Sequence, residues 1–394
     1  MQEKIKAIQA RLASEGLDGW LLYDFRGSNP FIAQFALFKG ILTRRIYLLI
    51  PREGKPVVLG HKIEEGGFAA DWAELRTYSG WEAMEEELKR MLAGRSAVAM
   101  EYSPGNAVPY VAFVDGGTLE MIRSLGVEVL SSANMVQHFS ARWSPAGLAS
   151  HREAANLLVG LQREMFELAA GELSAGREIN EFELQQEILK RFSEAGMEWE
   201  HAPIVGSGPR AAMPHYEPSV EEHYPIERGE ILLLDIFCRK VGGEDTITSD
   251  ITWTAFMGEP PVPKEILEVF QVVIAARDRG VEFIQENLSA GRPLSGAQVD
   301  DQVRAVIENA GYGRFFTHRT GHSLGHRVHS DGVNIDNLET RDERLLEPGL
   351  GFTIEPGIYL EGRFGVRSEI NCYITEGGLE VTTLPLQTEL PAML

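Results

Sequence analysis

Residues 315–332 read FFTHRTGHSLGHRVHSDG and hold four of the chain's ten histidines: His318, His322, His326 and His329. Imidazole serves as metal ligand and general acid/base near neutral pH, so this density points to a reaction centre if acids elsewhere complete a coordination shell. The competing reading is a polar, glycine-punctuated loop whose histidines only satisfy hydrogen bonds, and for any single histidine it is the better one. The i, i+4, i+8 spacing of His318, His322 and His326 fits one face of a helix. Gly321 and Gly325 interrupt that face, and glycine costs about 1 kcal/mol inside a helix. The stretch therefore reads as strand or loop.

Outward from the histidines, four carboxylates interrupt strands that otherwise want apolar residues. Asp235 lies in EILLLDIF (230–237), Asp250 in SDITWTAF (249–256), Glu355 in GFTIE (351–355) and Glu369 in the strand pattern over 366–375. An isolated carboxylate is too costly to bury in a core strand, so each needs a partner. The first two are 15 positions apart and the last two 14, so each pair fits a β-hairpin with an acid on both arms. Each hairpin follows helices, which suggests two similar halves whose four acids converge. Like charges at that separation repel strongly, and two divalent cations would resolve the repulsion, with His322 supplying a nitrogen. Oxygen-rich ligation with one imidazole suits manganese, cobalt, iron or zinc better than copper. Four acids paired separately with backbone amides or arginines is the alternative.

The remaining chain sets the frame. At 394 residues it suits two domains, with a 44% hydrophobic and 24% charged composition typical of a soluble protein. No apolar run reaches membrane-spanning length. The opening MQEKIKAIQARLASEG lacks the apolar core of a secretion signal, and only Cys238 and Cys372 occur, so a cytoplasmic location is expected. A net charge of −21 argues against nucleic acid. Helix and strand patterns alternate through the first 143 residues, as in a three-layer α/β domain. His61, beside Lys62 and Glu64, reads as a solvated helix start. Ser144 and Pro145 then cap a long helix, which places the second domain at 144–394.

Four segments, DIFCRKVGGEDTITSDITWT, HRTGHSLGHRVH, TIEPGIY and GVRSEI, resemble the signatures of the pita-bread metallopeptidases. That family includes Xaa-Pro dipeptidases (prolidases), Xaa-Pro aminopeptidases and methionine aminopeptidases. The resemblance implies an α+β architecture: a C-terminal pita-bread catalytic domain behind a smaller creatinase-like N-terminal domain. It further implies that Asp250 and Glu369 bridge two metals, that Asp235 completes one shell, and that His322 and Glu355 complete the other. Glu355 would also move the proton from the attacking water to the leaving nitrogen. His318, His329, His215 and Arg367 match residues of the family's substrate pocket. The expected function is a dinuclear-metal exopeptidase of the Xaa-Pro dipeptidase kind. It would use two divalent ions, manganese foremost, on proline-containing di- or oligopeptides, as a homodimer without membrane or nucleic-acid partners. The alternatives are an Xaa-Pro aminopeptidase for longer peptides, a metal-free creatinase-like hydrolase and a non-catalytic protein-binding module.

Three departures from the family pattern bear on the expectation. GGED lengthens the connection between Asp235 and Asp250 by four residues, which keeps strand parity but makes Asp245 a rival ligand. Trp253 stands where the family has arginine, which is expected to remove a cation close to the site. SEIN replaces a more acidic sequence around Glu369. Cys238 and Cys372 each follow a ligand candidate by three residues, so strand alternation should bury both thiols away from the ligands. A free dipeptide carboxylate needs a cation, for which Arg367 and Arg210 are the candidates.

Overall fold

Alternating helix and strand patterns at the start of the chain become one mixed sheet covered on both faces. A computed structural model of the chain describes residues 1–69, 71–243 and 245–394 and divides it into two units, Met1–Ser140 and Ala141–Leu394. Glu244 of the GGED insertion lies outside the described residues.

The first unit runs α1 (Gln2–Ser14), β1 (Gly19–Phe25), β2 (Arg45–Pro51), β3 (Val57–His61), β4 (Glu74–Tyr78), α2 (Trp81–Leu92), β5 (Ala97–Met100), α3 (Gly116–Ser124) and β6 (Glu128–Ser131). Its sheet has the order β4-β3-β2-β1-β5-β6. Period-two alternation splits the strands between two cores. Trp20, Leu22, Leu48 and Ile50 pack with Ile8 and Leu12 of α1, whereas Leu21, Leu49 and Leu59 pack with Leu88 of α2 and Ile122 of α3. The edge strand β4 escapes the sequence reading because its residues ELRTY are mostly half-exposed or exposed. His61 caps a short 3₁₀ turn through its Nδ1, which accepts the Ile63 N–H at 3.2 Å.

The second unit repeats one plan twice, a helix pair followed by a hairpin. The first half comprises α4 (Pro145–Ser174), α5 (Glu181–Glu194), β7 (Met197–Glu198), β8 (Ile204–Ser207), β9 (Ile231–Lys240) and β10 (Ser249–Phe256). The second comprises α6 (Lys264–Ser289), α7 (Gly296–Asn309), β11 (Gly351–Ile354), β12 (Gly357–Leu360), β13 (Phe364–Arg367), β14 (Ile370–Thr375) and β15 (Gly378–Val381). The Ser144 hydroxyl caps α4 by accepting the Gly147 N–H at 2.9 Å. On β9 and β10, Leu234, Ile236, Cys238, Ile251 and Trp253 face the core under α4 and α5. Asp235, Asp250 and Thr252 therefore face the opposite way, toward the second half. Cys372 is buried in the other core with residues of α6, and both thiols are free.

Two sequence expectations need correction. Glu355 and Glu369 do not lie inside paired strands. β11 pairs with β14 and β12 with β13, so the acids occupy the two breaks of a long hairpin that changes sheet midway. Trp253 also does not approach the acids, because its odd position in β10 sends the indole into the α4 core, beneath the Arg163 guanidinium at 5.6 Å. No described helix is long and apolar enough to cross a membrane.

The halves are joined by amide side chains. Asn371 Oδ1 accepts the Asp250 N–H at 3.0 Å while its Nδ2 donates to the Asp250 carbonyl. Gln387 clamps Thr254 in the same two-point way, and the Glu369 N–H donates to the Thr252 carbonyl at 3.0 Å. The edge of β10 is thereby satisfied without a continuous partner strand. The asparagine of SEIN is thus a structural clamp.

Candidate metal centre

The acids on β10 and in the hairpin break meet the histidine stretch in one cavity of about 300 Å³. Asp235, Asp250, His322 and Glu355 line it, as do His215, His318, His329 and Arg367. Asp250, His322 and Glu369 are all buried, and each offers a ligand atom within 4.8 Å of the others. His322 Nε2 stands 3.6 Å from Asp250 Oδ2 and 3.5 Å from Glu355 Oε1. These separations are long for hydrogen bonds. They match ligands sharing one ion, since two bonds of about 2.1 Å at a tetrahedral angle put ligands about 3.4 Å apart.

Glycine delivers His322. A Cβ on Gly321 would lie 2.0 Å from the Thr353 carbonyl oxygen, so only glycine lets this segment run against β11. The Gly321 N–H donates to the Ile335 carbonyl, and the Thr353 N–H donates to that of His322. His322 Nδ1 faces the Ser323 carbonyl at 3.3 Å, which makes Nδ1 the protonated nitrogen and leaves Nε2 a lone pair toward the acids. Burial, then His329 and Arg319, holds this imidazole well below its ordinary pKa, so it is neutral at neutral pH.

The acids carry the opposite stress. Burial, followed by the charges of Glu369, Asp235 and Glu355, pushes the Asp250 carboxyl well above the usual range. Burial does the same to Glu369, with Glu355 and Asp235 adding to it. Glu355 rises to about 7, lifted by burial and pulled back by Arg367. Asp235 Oδ1, Asp250 Oδ1 and Glu369 Oε1 are buried and accept no hydrogen bond. Unpartnered carboxylate oxygens converging beside a lone-pair nitrogen are what divalent cations bind, so the donor set fits divalent-metal binding.

Around this cluster the other predicted residues take distinct places. Arg367 is buried and fully committed: Nη2 to Asp235, Nε to Thr252 Oγ1 at 2.9 Å and Nη1 to the Tyr359 hydroxyl at 3.0 Å. His318 Nδ1 donates to the Arg319 carbonyl at 2.7 Å, so its Nε2 accepts from the Tyr359 hydroxyl at 2.7 Å. Burial and Arg367 lower His318 to about 3. His329 packs edge-on to His322 with ring centroids 4.3 Å apart, and burial lowers it to about 4. His326 turns away to Thr246 in the β9–β10 connection, with Nδ1 3.2 Å from the Thr246 carbonyl oxygen. Asp245, the rival ligand, accepts from the Ser144 hydroxyl at the start of α4 and lies outside the cluster.

A family model of metallopeptidase family M24 matches residues 149–376, more than half of the 394-residue chain. The chain belongs to metallopeptidase family M24. Among curated relatives, the uncharacterised peptidase YqhT of Bacillus subtilis is 37% identical over 180 residues, 46% of this chain and 46% of that protein. An Xaa-Pro dipeptidase of Pyrococcus furiosus is 33% identical over 180 residues, again 46% of each. The matched sequence spans about half the length of these curated relatives. The crystal structure of dipeptidase PepE from Mycobacterium ulcerans superposes with a TM-score of 0.69 at 22% identity, covering 100% of this chain and 97% of that one. At that identity the likeness establishes the shared pita-bread fold.

Against this M24 frame, the ionisable residues of the cavity wall that sequence reasoning missed are His201, Glu217, Arg319 and Glu339. Arg319 had a usable signal, since it directly follows His318 in HRTGH. Glu339 had none, because 337–343 reads as an ordinary polar loop.

Proposed function

We propose that the chain is a dinuclear-metal exopeptidase that hydrolyses the bond preceding proline in Xaa-Pro dipeptides. The carrying observation is the convergence of Asp235, Asp250, His322, Glu355 and Glu369 with three unpartnered carboxylate oxygens. Asp250 and Glu369 would be shared by both ions, Asp235 would serve one, and His322 with Glu355 the other. Bound divalent ions, manganese foremost with cobalt, zinc or iron as alternatives, supply hydroxide at neutral pH and polarise a carbonyl.

The chain's own residues do the rest. Glu355, which lines the cavity with Oε1 3.5 Å from His322 Nε2, would accept a proton from the attacking water and return it to the leaving nitrogen. His329 is neutral and reaches the cavity, where it serves to hydrogen-bond the scissile group. His318 acts through its ring face and through Tyr359, because both its nitrogens are already bonded. Arg367 holds Asp235 in place and is unsuited to a substrate carboxylate. Arg210 is likewise committed, 3.3 Å from Glu181 and stacked on the Tyr224 ring. Arg319 lines the cavity, half-exposed, and is the wall cation that would face the free carboxylate of a dipeptide, as the dipeptidase reading requires. His215, on the exposed wall, would meet the substrate's proline side. The reading includes a creatinase-like domain at 1–143, a catalytic domain at 144–394, a homodimer and a cytoplasmic location.

Metal-loaded protein assayed on Xaa-Pro dipeptides, their C-terminal amides, Xaa-Pro-Ala peptides and Met-Ala peptides tests it. Cleavage of the dipeptide well ahead of its amide is expected, with Arg319→Ala erasing that preference. Cleavage of Met-Ala alone would refute proline specificity, and cleavage of tripeptides alone would assign an aminopeptidase.

A further inference from the structure

Outside the metal cluster, Glu181, the first residue of α5, is a completely buried carboxylate whose partners all lie in one stretch of chain. Its Oε1 accepts the Ser207 N–H at 2.7 Å and Arg210 Nε at 3.3 Å. Its Oε2 accepts the Tyr216 hydroxyl at 2.6 Å and the Tyr224 N–H at 3.1 Å. The helix does not need it as a cap, because Asn180 and Glu183 already form a capping box. All four donors come from one stretch: the last residue of β8, Ser207, and then Arg210, Tyr216 and Tyr224 of the connection to β9.

That connection is long for a compact domain, and after the 3₁₀ turn Gly208–Ala212 it has no regular structure until β9. Segments of this kind need anchors to hold one conformation. It also forms part of the cavity wall through Pro214, His215 and Glu217. Tyr216 is buried and points to Glu181, while its neighbours His215 and Glu217 are exposed and line the cavity. Arg210 adds a second tie by lying 4.5 Å over the Tyr224 ring. The turn is seated on the hairpin as well, since a Cβ on Gly365 would stand 2.0 Å from the Ala211 carbonyl oxygen. Glu181 itself does not line the cavity.

We propose that Glu181 is a positioning residue that fixes the 207–224 wall and thereby sets how His215 and Glu217 meet the substrate. The substrate side of this proposal rests on the Xaa-Pro reading above. An ionised carboxylate accepts from all four donors at once. A glutamine there offers one acceptor oxygen and turns an N–H toward the remaining donors, leaving about half of them unpaired. Aspartate keeps the charge but is one methylene short, so it should restore part of the effect.

The test uses the metal-loaded full chain and its Glu181→Gln and Glu181→Asp variants. Hydrogen exchange, bound-metal count, and KM and kcat on an Xaa-Pro dipeptide are measured. Glu181→Gln should exchange about tenfold faster or more within 207–224, the scale of one lost charge-assisted bond. KM should rise by a similar factor, kcat should fall far less, and the metal count should stay at the wild-type value. Glu181→Asp should lie between. Faster exchange with unchanged KM would reduce Glu181 to a structural role and overturn the proposal. Unchanged exchange within 207–224 overturns it whatever the substrate proves to be. Failure of the wild-type protein on every Xaa-Pro peptide would instead remove the substrate reading, and the exchange measurement would still decide whether Glu181 holds the wall.

Discussion

Glu101 of the first unit and the acid cluster of the second are buried in opposite ways. Glu101 in the first unit is completely buried, yet both its oxygens are served: Oε1 by the Trp20 indole N–H and the Ser132 hydroxyl, Oε2 by Asn29 Nδ2. Asp235, Asp250 and Glu369 in the second unit each keep one buried oxygen without a donor. Burial is therefore not what marks the site, since Asp336 beside the cavity is also fully buried and takes four donors from residues 338–340. The mark is several acids whose free oxygens point at one another. A folded chain tolerates that arrangement only where a cation or a reaction makes use of it.

The contrast is broken most severely at Asp250. Asp250→Ala should lose bound metal and lower activity by at least about a thousandfold, while Asp245→Ala, whose carboxylate accepts from Ser144, should keep both ions. Metal counting by native mass spectrometry reads both variants, and loss of metal in Asp245→Ala alone would reverse the assignment. The next largest effect separates two neighbouring imidazoles. His322→Ala should lose at least one ion because Nε2 is the nitrogen aimed at Asp250 and Glu355. His329→Ala should retain both ions and turn over substrate more slowly. The opposite pattern of metal loss would exchange the two roles.

How far the sequence reached follows from the same geometry. Strand alternation was legible, so the ligand candidates on β9 and β10 and the buried cysteines could be placed from parity alone. Glu355 and Glu369 were found by their chemistry, but their setting was not: the break between β11–β14 and β12–β13 depends on which strands pair, and that information is not local. Trp253 shows the cost of reading a motif without its faces. Its position beside Thr252 and Asp250 in sequence suggested proximity to the site, and parity places it on the far side of the sheet. The wall residues Glu217 and Glu339 come from connections with no periodicity, where position is fixed by tertiary anchors such as Glu181 and Asp336.

A smaller effect probes the satisfied acid. Burial lifts Glu101 to about 7 from an ordinary value of 4.5, against the lowering influence of Trp20, Asn29 and Ser132. Between those two pH values the folded chain keeps a proton that the unfolded chain has lost. The group's contribution to stability is therefore whole below the unfolded value and declines as pH rises through about 7, by about 3 kcal/mol in all. Urea unfolding near about pH 5 and about pH 8 should show a larger loss in the wild type than in Glu101→Gln. Equal losses in the two proteins would mean that Glu101 is ionised throughout.

The smallest effect is expected at the residue that departs most visibly from its family. If Trp253 lay at the cavity, replacing it would alter metal affinity or KM. Its indole instead fills the core between β10 and α4, with Arg163 stacked above it, and its backbone pairs with Leu234. Trp253→Phe keeps an aromatic ring and the strand propensity but removes one of the two fused rings of the indole. The cost is then one of packing, about 1–3 kcal/mol, because a close-packed core relaxes only partly around a lost ring. The melting temperature should fall by a few degrees, while metal content and KM remain within about twofold of the wild type. A shift in KM or metal affinity of tenfold or more without a change in melting temperature would show that this face of β10 communicates with the acids, and would undo the separation of faces on which the ligand assignment rests.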